Sequence, residues 1–237
     1  MAFSFGSPPS VKDSLVLYLD AANHRSYPGS GTTWYDLSGN ENNFTLSGAP
    51  TYTGTYFNFN TSQVAACVNT TCGNFGSGSF TIEYVAYYTA SSGVGSLYAL
   101  LYKRDSLYAP GIDGAPGWAF RHGANTFWVQ DNNPGGTSNS YTNVVGFTIP
   151  NQTSLVHMAY TVEKNGTQTT GSMYTNGVLT STDKKTFIGT NLVDSTIPMQ
   201  IATSTTGSIA MVRMYNKKLS ATEVTQNYNA LKNRFGL

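Results

Sequence analysis

The sequence is poor in charge. Only 11% of its 237 residues are Asp, Glu, Lys or Arg, against roughly 25% in ordinary soluble domains. Net charge is +1, and the basic pairs Lys103-Arg104, Lys184-Lys185 and Lys217-Lys218 are short and scattered, which reads as solvated turns. With no basic patch interleaved with aromatics, nucleic acid is not an expected partner. No run approaches the ~18 apolar residues of a membrane span, so membrane insertion is not expected. Met1 to Ser10 has neither a positive n-region nor an apolar h-region, and is not read as a signal peptide. Cysteine is confined to Cys67 and Cys72. That excludes a CxxC-type zinc site and leaves two readings, a small loop disulfide or two buried free thiols. The five sequons, at Asn43, Asn60, Asn69, Asn151 and Asn165, are read as chance matches in an Asn/Ser/Thr-rich chain.

Catalytic groups are equally sparse. There are four glutamates, Glu41, Glu83, Glu163 and Glu223, and three histidines, His24, His122 and His157. Glu223 is explained by a helix cap, Glu163 by a hairpin end, and Glu83 stands alone in an alternating strand. Glycoside hydrolysis needs two flanking carboxylates. No G-x-S-x-G elbow accompanies the serines, and His157 lies within a strand, where a satisfied structural histidine is the usual case. Gly93-Val94-Gly95 lacks the strand and helix context of a nucleotide loop. The chain is therefore expected not to be an enzyme.

What the sequence has in quantity is aromatic residues (13%), glycine, and β-favouring polar residues. Alternation marks strands: Leu15 to Asp20, Tyr56 to Phe59, and a long run Ser79 to Tyr88 whose Phe80, Ile82, Tyr84 and Ala86 share one face of a half-buried strand. Further strands are expected at Ser96 to Tyr102, Trp118 to Arg121, Thr126 to Gln130, Leu155 to Glu163, Gly171 to Tyr174, Met199 to Thr203 and Ile209 to Tyr215. The steps Asn165-Gly166 and Asn176-Gly177 supply the positive φ of tight hairpins, so Leu155 to Thr182 reads as a three-stranded meander. One helix is expected at the end. Ser220-Ala221-Thr222-Glu223 matches a capping box, Val224, Tyr228 and Leu231 recur at helical spacing, and Gly236 supplies a stop. Ahead of all this, residues 1–10 read either as an extended arm, whose Phe3 and Phe5 alternate as assembly candidates, or as a disordered tail. No linker divides residues 11–237. The expected class is all-β, an antiparallel β-sandwich with one C-terminal helix.

Five blocks carry a resemblance: LVLYLDAAN (15–23), YPGSGTTWYDLSGNENNFTL (27–46), FTIEYV (80–85), HMAYTVEKNGT with MYTNGVL (157–179), and GSIAMVRMYNKKLSATEV (207–224). Together they resemble the concanavalin A-like lectin/glucanase superfamily in its laminin G-like branch. The resemblance implies a jelly roll over nearly the whole chain after the arm. Glucanases of that superfamily carry a clustered E-x-D-x-x-E on one strand, and Glu83 has no such companion. Sequences of this kind are similar to domains of bacteriophage and large-virus structural proteins. The resemblance thus implies a non-enzymatic virion structural protein: a capsid decoration or fibre/tail-associated domain on the virion surface. Its partners would be other virion proteins or its own copies, and it could hold glycans weakly. The alternative is a carbohydrate-binding lectin-like module for host-surface polysaccharide. For glycan stacking the candidates are Tyr108, Trp118, Arg121, His122, Trp128 and Asp131, with Tyr141 beside them. The competing reading sends Trp118 and Trp128 into the core. No cofactor is expected, with Ca²⁺ as the one candidate, on Asp36, Ser38 and Asn40, whose oxygens sit at alternate positions. Asx-turns explain Asp36 and Asn40 equally well.

Overall fold

The computed structural model describes residues 9–88, 99–104, 117–121, 126–130, 143–148, 152, 154–166, 168–186, 195–203 and 206–237. Phe3 and Phe5, Tyr108, His122, Asp131 and Tyr141 lie outside them. In chain order the strands are β1 (Leu15–Asp20), β2 (Thr33–Trp34), β3 (Phe44–Ser47), β4 (Thr51–Tyr52), β5 (Phe57–Phe59), β6 (Val64–Cys67), β7 (Phe80–Tyr88), β8 (Ala99–Arg104), β9 (Gly117–Arg121), β10 (Thr126–Gln130), β11 (Asn143–Thr148), β12 (Val156–Asn165), β13 (Gln168–Thr175), β14 (Val178–Thr186), β15 (Gln200–Thr203) and β16 (Gly207–Tyr215), followed by helix α1 (Ala221–Phe235).

They form two eight-stranded antiparallel sheets. The first runs β14-β13-β12-β7-β16-β5-β4, with β1 also on β16; the second runs β11-β10-β9-β8-β15-β6-β3-β2. Strand β16 is the hub of the first sheet. One edge pairs with β7, and the other is shared by β5 along Gly207–Ile209 and by β1 along Met211–Tyr215. Between those partners, the Ala210 carbonyl accepts from Ala21 N–H. The expected meander is present as β12, β13 and β14. Its turns use positive φ at Gly166, Asn176 and Gly177. At Gly177 (φ +78°) a Cβ would lie 3.0 Å from Tyr228 on the helix, so this turn also needs glycine for close packing.

The side-chain period of two sorts the first sheet into two faces. Leu17, Met214, Ile82, Tyr160 and Met173 stand in one cross-strand row, and Leu19, Val212, Tyr84 and Met158 in the next. These rows meet Trp34, Phe44, Leu101, Trp118, Phe120 and Ile201 of the second sheet in one core cluster. Phe120 stands edge-on to both Tyr84 and Tyr160, with ring centroids at 5.3 and 4.7 Å. Aromatic rings in this arrangement gain beyond their buried area.

The outer face was expected to be open at β7, and it is not. Thr81, Glu83 and Val85 are as buried as Phe80, Ile82 and Tyr84, because residues 217–219 bond across Thr81 and α1 lies across Glu83 and Val85. Every residue of β16 is buried: Ile209, Val212 and Met214 lie in the core between the sheets, and Ala210, Met211 and Tyr215 pack against helix residues. The helix starts at the expected capping box: Ser220 Oγ accepts from Glu223 N–H (3.3 Å), and a Glu223 carboxylate oxygen accepts from Ser220 N–H (2.8 Å). It ends at Gly236 in the left-handed region. The Lys217 ammonium at 2.8 Å, together with Ser220, holds the Glu223 carboxyl below its usual range. The buried face is Val224, Asn227, Leu231 and Phe235. Tyr228, half-buried, packs on the sheet as expected, against Gly177 and the His157 ring at 5.8 Å; the position that the apolar period did not mark is the buried Asn227.

That asparagine closes the chain. Asn227 Nδ2 donates to Glu83 Oε2 (2.9 Å) and Tyr215 Oη (3.0 Å), and its Oδ1 accepts from Val11 N–H (2.8 Å). Tyr215 Oη donates in turn to Val11 O (3.2 Å). Asn227→Ala would leave the Glu83 carboxylate buried and short of a donor, so a loss of about 3 kcal/mol is expected. Urea unfolding monitored by tryptophan fluorescence measures it; a loss below about 1 kcal/mol, the scale of an ordinary exposed hydrogen bond, would show that the anchor contributes little.

Candidate functional site

A cleft of about 280 Å³ opens where the end of β16 meets β1 and two loops. Its lining is dominated by amides: Asn40 and Asn42 from the loop after β2, Asn69 and Asn74 from the loop after β6, and Asn216 just past β16, with Val16 and Cys72 between them. Both loops are held by specific bonds.

The 36–42 loop is organised by Asp36. Its carboxylate accepts from Tyr18 N–H (2.8 Å), Ser38 N–H (2.9 Å), Ser38 Oγ (2.7 Å) and Asn42 N–H (3.1 Å). Asn42 Nδ2 donates to Val16 O at 3.0 Å, and Asn40 Nδ2 donates to Ser38 Oγ at 2.9 Å. The Asx-turn reading of this segment is the one the geometry fits. Four donors occupy the carboxylate that a calcium ion would need, and among the described residues no three His, Cys, Asp or Glu side chains gather around a common point. Asp36, Ser38 and Asn40 all take part in these loop bonds.

The 68–74 loop is pinned from beneath. Lys103 is fully buried. Its ammonium donates to Ile197 O (2.6 Å) and to Thr70 O, so the reading of Lys103 as a solvated turn is wrong: it is a strand residue whose charge is consumed by loop carbonyls. Trp118 is also fully buried and donates its indole N–H to Gly73 O (2.9 Å). Gly73 has φ +79°, and a Cβ there would lie 3.2 Å from the Trp118 ring, so only glycine permits this approach. Asn74 ties the loop sideways, accepting from Ser195 N–H at 3.1 Å. Asn69 Nδ2 donates to Asn42 Oδ1 (3.0 Å), joining the two loops across the cleft.

The tryptophan platform expected from sequence is therefore corrected at Trp118, which offers no ring face to a ligand. The backbones of Arg121 and Trp128 lie in adjacent strands β9 and β10. Tyr108, His122 and Asp131 fall outside the described residues. Sequence reasoning singled out Asn40 only as a metal candidate and missed the other asparagines; the NENN and NTTCGN strings (40–43 and 69–74) were the available signal.

The two cysteines are free and buried. The Cys72 thiol donates to Cys67; this lowers the Cys67 pKa and, with burial, raises that of Cys72. Two further groups of polar residues are structural. Glu83, His157 and Arg213 are sealed beneath α1. His157 Nε2 lies 3.5 Å from Glu83 Oε1. Neither ring nitrogen of His157 has a hydrogen bond among the described residues, contrary to the expectation of a satisfied histidine. The Arg213 guanidinium stacks on Tyr18 at 4.2 Å. Burial works against its charge, but Tyr18, Tyr215 and Glu83 outweigh burial and keep it protonated. Glu163 pairs with Lys218 at 2.6 Å, as a hairpin-end residue should.

The model of the concanavalin A-like lectin/glucanases superfamily described as Laminin_G_3 matches residues 60–225. The chain belongs to that superfamily. Among solved structures, the receptor-binding domain of botulinum neurotoxin type G is similar at 14% identity and TM-score 0.60, over 91% of this chain and 51% of that one. The binding domain of botulinum neurotoxin DC, solved with rat synaptotagmin II, gives 15% and 0.62 over 94% and 52%. Trypanosoma rangeli sialidase gives 15% and 0.56 over 92% and 33%. The chain spans about half of the toxin domains and a third of the sialidase, and at these identities the likeness is one of fold. No curated protein matches in sequence.

Because Asp36 organises the cleft's outer loop with four accepted bonds, Asp36→Ala is expected to destabilise the chain by about 3 kcal/mol. Adding Ca²⁺ to chelator-treated protein should leave the melting temperature of the unsubstituted chain unchanged. A calcium-dependent rise in melting temperature that Asp36→Ala abolishes would reverse that assignment.

Proposed function

We propose that this chain is a non-enzymatic, lectin-like binding module that takes a surface polysaccharide in its asparagine-lined cleft. We further propose that it is carried on a phage particle as a capsid decoration or fibre-associated domain. The observation that carries the first part is the cleft itself. Its walls offer neutral amides, each with both a donor and an acceptor, on loops fixed by Asp36, Lys103 and Trp118. Sugar hydroxyls are donors and acceptors in the same sense, and a preformed polar cleft recognises them without ordering loops on binding. Asn216 has no side-chain hydrogen bond among the described residues, and the Asn40 carbonyl accepts none, so both have capacity for a ligand.

The cleft carries no carboxylate, which argues against hydrolysis at this place. The four glutamates are dispersed: Glu83 is buried beneath the helix, Glu163 and Glu223 pair with lysines, and Glu41 is exposed on its turn at positive φ. The binding domain of botulinum neurotoxin DC, about half of which this chain spans, has been solved with rat synaptotagmin II and with SialylT, which is in keeping with a binding role. The virion setting is supported by the sequence resemblance and by the low charge. Residues 1–10, with Phe3 and Phe5, are the proposed assembly arm. Its junction is secured where Gln226 Nε2 donates to Pro9 O at 2.6 Å.

Saturable binding of the purified chain to one class on a polysaccharide array is expected, weakened several-fold by Asn216→Ala, as befits the loss of one or two hydrogen bonds, with the melting temperature unchanged. Absence of saturable binding across the array would sink the lectin reading. Mass spectrometry of purified particles tests the setting: stoichiometric presence, lost on deletion of residues 2–8, is expected, and absence from particles would overturn it.

A further inference from the structure

A second cleft, of about 270 Å³, adjoins the first along the same two elements. Val16, Leu17 and Asn40 line the amide cleft, whereas Leu15, Tyr18, Leu37 and Ser38 line this one. Its charged lining residues are Lys12 and Arg25, and no acid lines it.

Several of the chain's 13 cationic residues are engaged by acids. Lys217 meets Asp13 and Glu223, Lys218 meets Glu163, and Arg234 meets Asp20. Among the described residues, the Lys12 and Arg25 side chains have neither an ion pair nor a hydrogen bond. Nearby acids are already engaged. Asp36 is filled by its own loop, Asp13 holds Lys217, and Asp20 accepts from Tyr18 Oη (2.6 Å) and Arg234 (2.5 Å). Behind the wall, Arg213 stacks on the Tyr18 ring. The cleft thus combines two available cations with a tyrosine and two leucines. A guanidinium and an ammonium suit a carboxylate, and the apolar wall suits the carbon face of a sugar ring.

We propose that this second cleft receives the carboxylate of an acidic sugar, so that the ligand is a carboxylated polysaccharide lying across the 36–42 loop, with hydroxyls in the amide cleft and an acid group between Lys12 and Arg25. This rests on the lectin reading above and adds the chemical class of its ligand.

The test compares oligogalacturonate, oligoguluronate and sialyllactose, each beside its methyl ester, which has nearly the same shape but no charge. Titration calorimetry uses the full chain, with inorganic phosphate as a simple-anion control. Whichever saccharide binds should bind roughly tenfold more tightly as the acid than as the ester. Added salt should shrink that preference. The double variant Lys12→Gln/Arg25→Gln should abolish it while leaving ester binding and the melting temperature unchanged. Asn216→Ala should weaken acid and ester alike. Equal binding of acid and ester, or a preference that survives the double variant, overturns the acidic-ligand inference while leaving the lectin reading standing. Binding of phosphate alone, lost in the double variant with no saccharide bound, overturns it in favour of a simple anion site. No binding of any saccharide here or on the array overturns both.

Discussion

The docking of the C-terminal helix on the first sheet is the constraint on which the rest of this structure depends. A sheet in a sandwich normally buries one face and wets the other. Here the outer face carries Glu83, His157, Arg213 and Tyr18 among apolar residues, and all but Tyr18 are almost completely buried. Charged groups can be kept there only if the cover sits in one position, because a displaced helix would leave a carboxylate facing apolar side chains. Asn227 sets that position. Its single amide contacts the helix's own sheet at β7 and β16 and the incoming chain at Val11. Apolar contacts from Val224, Leu231 and Phe235 supply attraction but not register, since hydrophobic burial is non-directional. A buried polar contact that fixes register is the best-attested use of such groups.

The clefts inherit this rigidity. Strand β1 is held to β16 by its ladder and at its start by Val11, so the floor of both clefts is as fixed as the helix. On that floor the 36–42 loop is hooked by Asp36 and Ser38. The 68–74 loop is fastened from the core side by a lysine and a tryptophan whose polar atoms reach carbonyls of the loop. Binding loops on a rigid scaffold are a common solution; the particular feature here is that buried side chains of the second sheet hold a loop that faces the first sheet's edge.

Much of the architecture was legible because it rests on local signals. Alternation located β1, β7 and β12, asparagine-glycine steps located the meander's turns, and the capping box located α1 to the residue. Misreadings occur where long-range contacts override local pattern. Lys103 looks like half of a solvated basic pair, yet its partners are carbonyls of residues 70 and 197. Asn227 breaks the apolar period of the helix, and its value is visible only once Glu83 and Val11 are brought to it. Short strands such as β3 and β6 escaped notice because so few residues carry little periodicity and their ladder partners lie far along the chain. The cleft was illegible for a related reason: its asparagines come from three separate segments and converge only after the sheets form.

The same accounting explains why recognition would fall to asparagine rather than to an aromatic platform. Trp34 and Trp118 are fully buried, as are Tyr84, Tyr160 and Tyr215, so the described core consumes rings that a lectin could display. In a chain with 11% charged residues, neutral amides are the polar groups left to shape a cleft. Amide hydrogen bonds to a sugar replace bonds the sugar already makes to water, so each contributes only about 1 kcal/mol net. A single small cleft of this kind holds its ligand weakly. Weak sites become effective when many copies engage one polymer, because each bound copy raises the local concentration of ligand for the next. That arithmetic is the physical link between the two halves of the proposed function, a modest polysaccharide site and its repeated display on a particle.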